Sequence, residues 1–118
     1  MTESILNSTK HALGLTDEYT VFDDVVILHI NTAFSEFTQL GVGPKEGYFI
    51  TDADNVWTEF LGESKRLELT KTCLYMKVKL IFDPPETSFA IDAINKVIER
   101  LEWRMNFEAE GAFVEQNG

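Results

Sequence analysis

Few side chains in this chain are able to do chemistry, and their spacing decides what they can do. There are two histidines, His11 and His29, and one cysteine, Cys73. No H-x-x-x-H or C-x-x-C spacing occurs, so no local metal-ligand set is present. Cys73 with His29 would supply a thiol nucleophile and its base, but nothing around either residue supports that pairing. Cys73 lies on an apolar helical stripe and reads as a buried structural thiol. His29, between Leu28 and Ile30, reads as a surface or interface histidine.

Three other patterns fail on context. Gly41-Val42-Gly43-Pro44-Lys45-Glu46-Gly47 has the glycine density of a phosphate loop. Such a loop follows a strand and opens a helix; this one follows a helix and contains a proline, so a helix cap and turn are expected. Asp52-Ala53-Asp54, with Glu63 eleven positions after Asp52, has the outline of a calcium loop. Val56 and Trp57 then occupy the fifth and sixth positions, where an oxygen ligand and a glycine are needed. Helix capping is expected there instead. Carboxylate pairs such as Asp23-Asp24 abound, but none sits in an apolar run that would raise a pKa toward catalytic use. The expectation is no enzyme, no cofactor and no metal site.

With 118 residues the chain is one domain by size and long enough to bury a core without staples. A single cysteine rules out an intrachain disulfide and fits a reducing compartment. Met1-Thr2-Glu3-Ser4 lacks a basic start and an apolar h-region, so no signal peptide is expected. No apolar run reaches the length of about 18 residues that a membrane span needs. Without secretion, the sequon Asn7-Ser8-Thr9 is a chance match. The formal charge is −10 and it is uneven. Residues 1–63 carry 11 acids against only Lys10 and Lys45, whereas residues 64–118 carry 9 acids against 8 bases. Such a balance opposes a grip on phosphates, though not a place beside DNA that repels it.

Hydrophobic spacing predicts helices throughout: an all-α bundle of four to five helices with a long C-terminal helical hairpin. A first helix is expected from Thr2 to about Leu13, with Ile5, Leu6, Thr9 and Leu13 on one face and Gly14 ending it. Asp23 is the expected N-cap of a second helix, with Phe22 as a staple partner. That helix carries the stripe Ile27, Ile30, Phe34 and Phe37, widened by Val26, Ala33 and Leu40. Gly41 to Pro44 should terminate it. Tyr48-Phe49-Ile50 is expected as a short extended segment, and a short third helix at about Asn55 to Leu61, capped by Asp52 or Asp54. A fourth helix from about Ser64 to Phe82 has two stripes, Leu69, Cys73, Met76, Leu80 and Leu67, Leu74, Val78, Ile81. Asp83-Pro84-Pro85 stops it. Thr87 or Ser88 then caps a fifth helix running to about Phe107, with Ile91, Ile94, Ile98, Leu101 and Met105 along one side. That stripe fits either bundle packing or a subunit contact. Residues 1–110 are expected as the single helical domain and 111–118 as a flexible tail.

Several runs together resemble the head–tail connector (adaptor) proteins of tailed phages. They are Phe22-Asp23-Asp24 with His29-Ile30-Asn31, then Gln39-Leu40-Gly41-Val42-Gly43-Pro44, then Trp57 with Phe60-Leu61. Lys77-Val78-Lys79-Leu80-Ile81-Phe82-Asp83-Pro84-Pro85 and Leu101-Glu102-Trp103-Arg104-Met105-Asn106 follow. The resemblance covers about residues 5–110, and order and spacing carry it rather than any single motif. It implies a small helical bundle without catalysis, cofactor or metal. It further implies a self-assembled ring, a dodecamer matching the portal's twelve-fold symmetry, in the virion neck between head and tail. The ring would extend the DNA channel, passing double-stranded DNA without specific binding, and would dock a stopper or tail-completion protein. The subunit would be made in the host cytoplasm and would not touch a membrane.

On this reading Trp103, Phe107 and Phe113 are candidates for docking on the portal. Gly41, Val42, Gly43, Pro44, Lys45 and Tyr48 form a candidate loop for a neighbouring subunit or the stopper. Asp83, Pro84 and Pro85 fix the helix break. The alternative from another class is a small acidic helical regulator, or DNA mimic, that binds a basic partner.

Overall fold

A computed structural model of the chain describes the backbone of residues 3–62 and 65–117, and the side chains of all these except 65 and 108–117. Five helices follow in order: α1 (Ile5–Ala12), α2 (Asp23–Gln39), α3 (Trp57–Phe60), α4 (Lys65–Phe82) and α5 (Ser88–Asn117). The fold is a small all-α bundle, as its hydrophobic spacing predicts. Thr2, Glu63, Ser64 and Gly118, each part of an expectation above, lie outside the described residues.

Helix α1 starts later than its apolar pattern predicts because the residues before it are engaged elsewhere. The Trp57 N–H donates to the Glu3 carbonyl at 3.1 Å and the Ile5 N–H to the Asn55 carbonyl at 3.0 Å. This short antiparallel bridge ties the start of α1 to the start of α3. Ser4 becomes the N-cap, its hydroxyl accepting from the Asn7 N–H. Deeper in, the Trp57 indole N–H donates to the buried Ser8 hydroxyl at 2.9 Å, which satisfies both polar groups inside the core.

Helix α2 corrects the expected cap. Phe22 holds the cap position and makes no side-chain cap bond, while Asp23 is already helical. Asp23 turns its carboxylate to Lys10, whose Nζ lies 2.9 Å from Oδ1 and also donates to the Asp17 carbonyl at 3.0 Å. Lys10 is only 1 % exposed. Phe22 is no staple within α2; it packs edge-on against Tyr19 and against Phe82 at the end of α4.

The core centres on Phe34 of α2, which meets Phe37, Tyr48, Trp57 and Phe60 ring to ring. The expected α2 stripe is there: Val26, Ile30, Ala33, Phe34 and Phe37 are buried. Helix α4 packs between α2 and α5. This explains most of its two stripes, with Leu67, Cys73, Leu74 and Val78 buried together, but Ile81, expected on the second stripe, is 55 % exposed near the end of the helix. Of the α5 stripe, Ile98 and Met105 are buried and Ile94 and Leu101 pack against the core. Its bundle-packing role is therefore settled within one subunit. Lys77 joins three helices through Glu36 of α2 at 2.9 Å and Glu102 of α5 at 2.8 Å. Burial alone would lower the Lys77 pKa, but the hydrogen bonds with Glu102 and Glu36 outweigh it and leave it raised.

The α4–α5 turn forms where the prolines require it. Thr87 is the cap residue, accepting from the Ala90 N–H at 3.1 Å. Helix α5 runs on to Asn117, beyond the expected stop near Phe107, with Gly111 inside it. A single glycine costs about 1 kcal/mol in a helix and does not by itself end one.

Candidate assembly interface

The candidate loop is built outward from α2. Gly41 leaves the helix with φ +82°, and Gly43 follows at φ +87°. A Cβ at Gly43 would also collide with the Phe60 ring, so glycine is required there twice over. Val42 is buried in the core and anchors the loop from within. Lys45 and Glu46 are exposed, and Pro44, Gly47 and Tyr48 are half-buried.

The far end of the loop is pinned by polar contacts. Asn31 donates to the Ile50 carbonyl at 3.0 Å and accepts the Ile50 N–H at 2.7 Å, the same pattern a strand partner would offer. Residues 48–51 nevertheless have no regular secondary structure. The Tyr48 hydroxyl donates to Glu59 at 3.0 Å. Burial and this bond push the Tyr48 pKa up to about 12. Glu59 in turn takes the Val56 N–H at the start of α3, which holds its carboxyl below the usual range, with help from Tyr48 and Asn55. This replaces the expected cap by Asp52 or Asp54. Between α2 and the loop lies a groove of about 440 Å3, lined by Asn31, Ser35, Thr38, Gln39 and residues 46–49. Its rim carries the exposed Phe49.

The second candidate surface is on α5. Trp103 and Phe107 lie one turn apart with rings stacked at 5.4 Å and 14° between planes. Trp103 is 66 % exposed. They face away from the Ile98–Met105 side that packs on α4. The side chain of Phe113 lies outside the described residues. Asp83 and Pro84 are exposed in the α4–α5 turn and Pro85 is half-buried.

Two exposed apolar features escape the motif reading. Phe89, at 84 % exposure, is the most exposed of the large apolar side chains described. Tyr19, Val21, Phe22, Val25 and Leu28 are all exposed around the start of α2. The signal was present in the periodicity: Val25 and Leu28 fall off the Ile30–Phe34–Phe37 stripe, as Phe89 falls off the Ile94–Ile98 stripe.

Among the described residues there is no cluster of three or more histidine, cysteine, aspartate or glutamate side chains able to hold a metal. Cys73 is fully buried, and burial pushes its thiol up to about 12. No described helix is long and apolar enough to cross a membrane.

A family described as phage connector protein matches residues 5–112. No curated protein and no solved structure gives a significant match. The matched span takes in α1 to α4, α5 as far as residue 112, the candidate loop, Trp103 and Phe107, and the Asp83-Pro84-Pro85 break. The family is a structural one, acting among phage head and tail components. This chain belongs to the phage connector protein family.

Proposed function

We propose that the protein is an adaptor subunit that assembles as a ring beneath the portal, extends the DNA channel and docks the stopper or tail. The observation that carries this is the family match over residues 5–112, on a chain that also exposes large aromatic and aliphatic side chains such as Phe89, Trp103 and Phe107. Contiguous exposed apolar groups on a small subunit mark surfaces covered by partners. Trp103 and Phe107, with Phe113 further along the same helix, are the proposed portal-docking group. The Gly41–Tyr48 loop, held rigid by Val42 and by the Tyr48–Glu59 bond, is the proposed contact with a neighbour or the stopper. A charge of −10 suits a wall past which DNA must slide without being held.

Removing residues 108–118 tests the docking role. The shortened chain is expected to keep its helical signal and its unfolding transition while losing capture by the portal protein in a pull-down. Undiminished capture would remove the C-terminal segment from the proposal.

A further inference from the structure

Helix α5 has an outer stripe directly opposite its packing stripe. Phe89, Ala93, Lys96, Arg100, Trp103 and Phe107 alternate steps of four and three, so they share one face of an α-helix. All six are exposed. In its first half this stripe is an apolar group, Phe89, followed by two cations, Lys96 and Arg100. Neither cation makes an ion pair with a described residue.

The start of α2 carries the complement. Val25 and Leu28 lie on the side of α2 away from the buried Val26, Ile30, Ala33 and Phe37, and the exposed Tyr19, Val21 and Phe22 just before the helix extend the patch. The exposed Glu18 and Asp24 neighbour its residues in sequence, and neither is paired with a described residue. One surface therefore carries free cations along an apolar stripe, with the exposed Asp92 and Glu99 beside them on α5, and the other is apolar with free carboxylates.

Their placement also fits. Helix α4 packs between α2 and α5, so the two outer faces lie on different sides of the subunit. Both lie near the α4–α5 turn: Phe22 touches Phe82, the last residue of α4, and Phe89 is the second residue of α5. Two complementary patches on different sides, at one level, are what a head-to-tail contact needs to close into a ring rather than climb as a filament.

We infer that the Phe89–Lys96–Arg100 face of one subunit docks on the Tyr19–Leu28 patch of the next copy of this chain, with Glu18 and Asp24 meeting the cations. Trp103 and Phe107 continue the same face of α5, beginning roughly 4.5 Å beyond Arg100. This inference rests on the ring reading and adds the lateral surfaces to it.

Paired charge reversal tests it. One variant combines Lys96→Glu with Arg100→Glu; the other combines Glu18→Lys with Asp24→Lys. Helical signal and urea unfolding establish that each folds. Self-assembly is read by light scattering across a concentration series, alone and with the portal protein. Each variant alone is expected to need at least about tenfold more protein for half-assembly than the wild type, because like charges then face each other. An equimolar mixture is expected to assemble as alternating subunits, since both contacts regain opposite charge. If the wild type assembles and the variants match it, or the mixture fails to recover, the lateral contact is overturned while the ring reading stands. If the wild type stays monomeric even with the portal protein, the ring reading itself falls, and the lateral contact with it.

Discussion

Lys10 holds the α1–α2 connection by an ion pair that is buried on the lysine side and only a quarter exposed on the Asp23 side. Removing one partner of such a pair strands the other charge, which costs more than the pair gains over water. Lys10→Ala is therefore expected to destabilise the fold by about 2–4 kcal/mol in urea unfolding. Lys79→Ala, which breaks the exposed Lys79–Asp83 pair, should cost under about 1 kcal/mol. Equal losses would show that burial does not set the cost. Titration gives a second residue-scale expectation. Burial raises the Cys73 thiol from 9.0 to about 12, and burial with the Glu59 bond raises Tyr48 from 10.0 to about 12. A raised folded pKa means that the folded chain holds these protons more tightly. The resulting stability is complete below about pH 9 and is lost as pH climbs from there toward 12. Cys73→Ala should flatten that alkaline fall in a pH series of urea midpoints; an unchanged slope would remove Cys73 as a contributor.

At the scale of elements, the helix ends show how local chemistry and tertiary demand divide the work. The Asp83-Pro84-Pro85 stop and the α4 stripes were legible from sequence, because proline geometry and helical spacing act within a few residues. Asp23 was not, because Lys10, 13 positions earlier, claims its carboxylate once α1 and α2 pack. Nor was the start of α1, since the Glu3–Trp57 pairing spans half the chain. Of the candidate surfaces, Trp103 and Phe107 stood out by falling off a stripe. Phe89 and the α2 patch obey the same rule, but recognising them required knowing which stripe α4 covers. Gly43 joins both levels: glycine and proline nearby marked a turn, while the approach of Phe60 is purely tertiary. Gly43→Ala must place a Cβ at φ +87° and displace that ring. A loss of about 2–4 kcal/mol is expected in thermal or urea unfolding, from backbone strain plus overpacking. A loss under about 1 kcal/mol would mean that the loop swings away freely.

For the whole molecule, the bundle is a self-sufficient core wearing several unpaired surfaces. The Lys77 node ties α2, α4 and α5 together, and the Phe34 aromatic cluster ties α2 to α3, without help from a partner. The exposed Phe89, Trp103, Phe107, Val25 and Leu28 lie outside that core. The proposed adaptor role would give these surfaces a purpose. Electron microscopy of the purified chain mixed with its portal protein tests that purpose most directly. The account predicts a ring of this chain stacked coaxially on the portal, with density at the α5 surface where the two meet. A bare portal, beside a chain that light scattering finds strictly monomeric in the same mixture, would contradict it.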